Sequence, residues 1–67
     1  MTILKQFGLR VKQRREAMEL SQEKFAEIAS LHRTYISGIE RGGRNPTLTV
    51  IQKLAKALKV KAGSLLD

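Results

Sequence analysis

The sequence predicts an all-α domain assembled from a few short helices. Three observations lead there. Apolar residues recur at helical spacing along the 67-residue chain, and no stretch alternates as a strand would. Residues 22–41, QEKFAEIASLHRTYISGIER, read as two short helices joined by a tight turn, with Ser21 ahead of the first. Gly42-Gly43 and Asn45-Pro46 then break the chain before another apolar-periodic run begins.

The first helix is expected from about residue 2 to residue 18, with Thr2 as its N-cap. Leu4, Phe7, Val11 and Met18 share one side, while Lys5, Lys12, Gln13 and Glu16 point elsewhere. Arg14 and Arg15 both lie at the edges of that stripe, so at least one of them should be partly buried. A buried guanidinium needs a carboxylate partner, since leaving it unpaired costs several kcal/mol by order of magnitude. Periodicity does not choose between the two arginines. The break at Glu19-Leu20 contains no glycine; a left-handed Glu19 there would cost about 1 kcal/mol.

Ser21 caps the second helix, and Glu23 suits the positive end of its dipole. Lys24 occupies the third position after the cap, so the reciprocal capping box is missing. Phe25, Ala26, Ile28 and Ala29 form the inner side of this helix, which ends near Ser30. The third helix is expected from about His32 to Arg41. With Ile36 and Ile39 turned inward, the 100° step sends Thr34, Ser37, Gly38 and Arg41 outward and leaves Arg33 and Tyr35 on the two borders. Glu40 falls close to the buried side, where it is the natural partner of the arginine stranded on the first helix.

Gly42-Gly43 ends the third helix and Arg44-Asn45-Pro46 makes an extended exit. Thr47 caps a fourth helix whose apolar set is Leu48, Ile51, Leu54, Ala55 and Leu58. One more helical turn fits around Ser64-Leu65-Leu66. No linker or internal repeat divides the chain, so residues 1–67 are expected to form one domain.

Composition narrows the function classes. A chain this short sits near the lower limit of what folds without a staple, and it has no cysteine for a disulfide or thiolate metal site. A single histidine leaves nothing from which to build a metal cluster or a His-based catalytic dyad, so neither metal, cofactor nor enzymatic activity is expected. The net charge of +7 points to a polyanionic partner, nucleic acid or an anionic membrane surface. Residues 1–32 carry six Lys and Arg against four Glu, a net of +2; residues 33–67 carry seven against Glu40 and Asp67, a net of +5. A membrane-surface peptide is disfavoured, because the apolar stripes belong to several helices that need each other as core. With no spanning run and no signal-peptide h-region, an intracellular protein is expected. RNA stacking has little to work with in two Phe and one Tyr.

Two helices and a turn with a polar outer row are the layout of a helix-turn-helix, which places its second helix in the DNA major groove. Arg33 lies in the first turn of that helix, and arginine grips guanine O6 and N7 bidentately; the competing reading is a phosphate clamp or solvated cation. Thr34 and Ser37 suit a thymine methyl, a base edge or a phosphate, and Tyr35 either does the same or caps the core at the helix border. At the start of the second helix, where Gln22 stands, backbone amides favour an anion; the competing reading of Gln22 is a plain first-turn residue. Arg41 and Arg44 follow as phosphate holders, with Arg44 free to enter a groove from the Gly-Gly turn. Gly38 weakens the helix by about 1 kcal/mol against Ala, and reads either as room for close approach to DNA or as a tolerated defect. One such helix covers few base pairs, so a homodimer on two half-sites is expected, with Leu58, Val60, Leu65 and Leu66 as the spare apolar residues for its interface; the competing reading is that they close the monomer core, as some of them must.

The chain also resembles a known family. Gly8, Val11 and Arg15, then Leu20-Ser21-Gln22 and Ala26, then Ile36-Ser37, Ile39-Glu40-Arg41-Gly42, Arg44-Asn45-Pro46 and Leu54-Ala55-Lys56-Ala57-Leu58 are similar to the Cro/C1-type, phage-repressor-like helix-turn-helix domains. The likeness covers roughly residues 5–66 and implies a five-helix, lambda-repressor-like DNA-binding fold with the motif at helices two and three. More narrowly, the run from Leu31 to Arg41 resembles the controller proteins of restriction–modification systems. The resemblance implies a dimeric transcription regulator on operator DNA, with RNA polymerase as a further partner, in the prokaryotic cytoplasm at the nucleoid. It also implies that Arg15 is the arginine paired with Glu40, that Gln22 faces a phosphate and that Tyr35 sits at the DNA. Ser30 and Glu19 depart from the pattern, standing where the family often has glycine. An antitoxin that binds a protein partner as well as DNA is the alternative function.

Overall fold

The computed structural model describes residues 2–67 and contains, among them, four α-helices and one 3-10 turn. The helices are α1 (Ile3–Ala17), α2 (Gln22–Ala29), α3 (Arg33–Glu40) and α4 (Leu48–Leu58), and the 3-10 turn is Ala62–Leu65. The fifth helix is therefore a single tight turn. Three of the expected caps form as the side-chain chemistry dictates. Thr2 Oγ1 accepts from the Lys5 N–H at 3.2 Å, Ser21 Oγ from Lys24 at 3.0 Å and Thr47 Oγ1 from Val50 at 3.3 Å. His32 is the N-cap of α3 but makes no side-chain bond to it.

The helices enclose one core. Val11 of α1, Phe25 of α2, Ile36 and Ile39 of α3, Leu54 of α4 and Leu65 of the 3-10 turn are its fully buried side chains. Each element thus supplies at least one anchor, and α3 is gripped from both sides by α1 and α2. At Gly8 the backbones of α1 and α3 come so close that a Cβ would strike the Ile39 carbonyl oxygen, so glycine sets their spacing.

Several residues expected inside lie outside. Met18 is past the end of α1, Ile28 is exposed on α2, and Leu48, at the first position of α4, is 84% exposed. The reason is length: on helices of 8 and 11 residues the stripe facing the core is narrow, and a residue one step off it reaches water. Leu58 and Leu65 err the other way. Both were expected at a dimer interface, and both close the core instead, with 4% and 0% of their surface exposed, leaving nothing for a partner to cover. Val60 packs half-buried against the same core, while Leu66 remains exposed.

All four helices end alike. A residue just past each end takes a left-handed conformation, and the next N–H bonds back five residues: Leu20 to Arg15, Leu31 to Ala26, Gly43 to Gly38 and Val60 to Ala55. The left-handed residues are Glu19, Ser30, Gly42 and Lys59, with φ of 58°, 58°, 78° and 59°. Only one is glycine. An L side chain in that region costs about 1–2 kcal/mol, partly offset by the larger backbone entropy that a glycine would lose on folding. Glu19→Gly and Lys59→Gly should each stabilise the domain by roughly 0.5–1 kcal/mol, visible as a higher urea midpoint at unchanged slope. A lower midpoint for both would show that these side chains hold the chain reversals through contacts of their own.

Candidate nucleic-acid interface

The site is positioned by a buried polar cluster behind α3. Arg15 Nε donates to Glu40 Oε2 at 2.7 Å and Arg15 Nη2 to Glu40 Oε1 at 3.0 Å, a two-point grip between α1 and the end of α3. Arg15 Nη1 donates to the Leu20 carbonyl at 2.6 Å, so the same guanidinium also holds the chain reversal that leads into α2. The side chains of Arg15 and Glu40 are 9% and 3% exposed, which places the pair in a low-dielectric setting. The bonds from Glu40 hold the Arg15 pKa above its ordinary value, against desolvation, which lowers it; the Glu40 and Glu16 charges add to the rise. A raised cation pKa contributes stability that is complete below the unfolded value and lost only as pH climbs through the folded one. For a guanidinium that window lies far above neutrality, so Arg15 itself stays charged at any physiological pH.

Gln22 joins this cluster. Its Nε2 donates to Glu40 Oε1 at 3.0 Å, so the amide expected to face a phosphate also braces α2 against α3. Among the described residues no buried side-chain nitrogen or oxygen is left without a partner.

With its inner face fixed this way, α3 presents Arg33, Thr34 and Arg41 to solvent, with Ser37 half-buried among them. Arg41 Nη1 donates to Ser37 Oγ at 2.6 Å, one helical turn back. Tyr35 is half-buried against the core at the other border of the face. The Arg44 guanidinium carbon stands 5.4 Å from the centre of its ring, within cation–π range. The Ser37–Arg41 bond follows from i,i+4 spacing and is legible in sequence. The Tyr35–Arg44 stack and the Gln22–Glu40 bond are not, because each depends on where a separate segment returns.

Among the described residues no group of His, Cys, Asp or Glu is placed to hold an ion, and no helix is long and apolar enough to cross a membrane.

A basic helix face braced from behind by a second short helix across a tight turn defines a helix-turn-helix domain. A family model described as helix-turn-helix matches residues 11–65. The control protein C.BamHI of Bacillus amyloliquefaciens is 53% identical over 62 residues, covering 91% of this chain and 76% of its own. The crystal structure of the restriction–modification controller protein C.AhdI from Aeromonas hydrophila superposes with a TM-score of 0.90 at 45% identity, over 92% of this chain and 94% of that one. The C.Esp1396I controller tetramer, solved in complex with its natural 35 base-pair operator, superposes with a TM-score of 0.87 at 34% identity, over 97% of this chain and 86% of that one. The chain belongs to the helix-turn-helix family and, within it, to the control proteins of restriction–modification systems.

Because Glu40 links three helices, Glu40→Ala should destabilise the domain by roughly 3–5 kcal/mol, as expected when a buried guanidinium loses its partner. Chemical denaturation measures it, and a loss below about 1 kcal/mol would mean that water replaces the carboxylate without penalty.

Proposed function

We propose that the protein is a sequence-specific DNA-binding transcriptional regulator that binds operator half-sites as a homodimer and controls a restriction–modification system. The observation that carries this reading is the outward row of Arg33, Thr34, Ser37 and Arg41 on a helix whose other face is locked by Ile36, Ile39 and Glu40. Such a helix presents donors to base edges in fixed register. Arg33, in its first turn, reads a base, and Thr34, Tyr35 and Ser37 complete the base-facing set. Gln22 and Arg41 hold the phosphate backbone, in line with a +5 excess over residues 33–67, and Arg44 enters a groove. Arg15 and Glu40 keep the face in place and touch no DNA. On this reading the protein has no enzymatic role. It works at the nucleoid of a prokaryotic cell, and RNA polymerase is the machinery its position on DNA acts upon.

The domain measures 27 × 22 × 22 Å. Half-sites one helical turn apart are separated by about 34–36 Å, more than one copy can span. A second copy supplies the other half-site. With Leu58 and Leu65 in the core, the interface passes to the exposed apolar residues Ile3, Leu48 and Leu66, beside Val60. Ile3 and Leu66 line a mostly apolar hollow of about 140 Å³ together with Leu4, Phe7, Asn45, Pro46 and Ile51.

Selection of bound sites from random duplex DNA tests the regulator reading: the wild type should enrich a two-fold symmetric motif. Arg33→Ala should lose preference at one position of each half-site, a cost of roughly 1–3 kcal/mol. The same motif bound uniformly more weakly would reassign Arg33 to a phosphate. Sedimentation checks the dimer, which Leu48→Glu should dissociate; a concentration-independent monomer mass for the wild type up to high micromolar would defeat it.

A further inference from the structure

We propose that Gly38 is a positioning residue: its missing side chain forms the notch that seats Arg44 on the recognition helix and fixes the direction of its fork. This rests on the DNA-binding reading above and assigns a role to a position that the reading leaves unused.

Gly38 sits mid-way along α3 on its outward side, where alanine would give a better helix. Its usual justification, room for a groove to approach, does not fit, because Gly38 is already buried and what covers it is the protein's own Arg44. A Cβ at Gly38 would lie 2.7 Å from Arg44 Cγ, 3.2 Å from Nε and 3.5 Å from Cδ. The first of these is closer than real Cβ atoms come, so any side chain at Gly38 displaces the arginine stem.

The chain path brings Arg44 there. Gly42, at φ 78°, reverses the backbone so tightly that a Cβ would lie 2.9 Å from Lys5 Cα. The Gly43 N–H then bonds the Gly38 carbonyl at 2.9 Å, which folds the segment back along α3. Arg44 leaves this reversal with its stem in the notch and its guanidinium 5.4 Å from the Tyr35 ring centre. It is held at two points, stem and head, although the residue as a whole is exposed.

An arginine held this way differs from a flexible phosphate clamp. Its planar fork has a fixed direction, and its rotamer freedom is already reduced before DNA arrives. A fixed fork suits the paired acceptors of a guanine edge, whereas a phosphate accepts a donor from many directions. Tyr35 and Arg44 thereby act as one unit beside Arg33.

The test is selection from random duplex DNA with wild type, Gly38→Ala, Arg44→Ala and the double variant, alongside thermal melting and binding to the wild-type site. Arg44→Ala should lose preference at particular positions, and Gly38→Ala should lose it at the same ones while keeping the positions that depend on Arg33. Gly38→Ala should melt no lower than wild type, since an exposed arginine swings aside and alanine favours the helix. Each single variant should bind about tenfold more weakly, and the double variant also about tenfold, because both remove one interaction. A Gly38→Ala motif identical to wild type would overturn the proposal, as would losses that multiply to about a hundredfold. Uniform weakening by Arg44→Ala at an unchanged motif would overturn it too, returning Arg44 to the phosphates. A wild type without any motif would instead strike the DNA-binding reading itself, and this proposal with it.

Discussion

The structure depends on one ion pair. Arg15 and Glu40 meet at 2.7 Å with almost no water access, and through them α1, the reversal at Leu20, α2 and the end of α3 share a single fixed point. Two short helices of 8 residues each have little intrinsic stability, so their mutual angle must come from tertiary contacts. Apolar packing at Phe25, Ile36 and Ile39 supplies most of the attraction but little directionality. The forked guanidinium supplies direction: its donors suit the two carboxylate oxygens and the Leu20 carbonyl only in one orientation. A hydrophobic pair of similar volume could hold α1 to α3 as strongly, yet would leave the angle of the reading face less defined.

This division of labour explains the surface of α3. With its inward residues committed to the core, α3 leaves Arg33 and Thr34 exposed, and Arg41 bonds Ser37 on the same face. Residues 33–67, which include α3, Arg41 and Arg44, carry a net charge of +5, against +2 for residues 1–32. Long-range attraction and close-range register therefore come from different groups: diffuse lysines draw in a polyanion, and a few fixed side chains sort it.

Much of this was legible in the residues. Helical periodicity located four helices, the hydroxyl caps at Thr2, Ser21 and Thr47 marked three of their starts, and the position of Glu40 relative to Ile36 marked it as the buried carboxylate. Periodicity could not choose between Arg14 and Arg15, since both border the stripe; resemblance did, and the structure pairs Arg15. What stayed hidden depends on contacts between distant segments. Leu58 and Leu65 look spare until the 3-10 turn folds back on α4, and Leu48 looks like core until α4 proves to start outside it. Gly38 reads as a defect until Arg44, six residues later, is found lying in its place. The first two helix ends were placed near residues 18 and 30 without the usual marker, since three of the four chain reversals use Glu19, Ser30 and Lys59 and only one uses glycine.

Those three reversals have a consequence for how the domain can change over generations. Each holds an L residue where glycine would be more comfortable, at positions away from the face formed by Arg33, Thr34 and Ser37. For a fold whose total stability is on the order of 5–15 kcal/mol, relieving them would return a useful fraction of it. Substitutions on a recognition surface are commonly destabilising and are tolerated only where a margin exists. Here the margin can be raised at sites outside α3. The scaffold and the specificity it carries are thus separable, and one can be adjusted to let the other drift toward a new target.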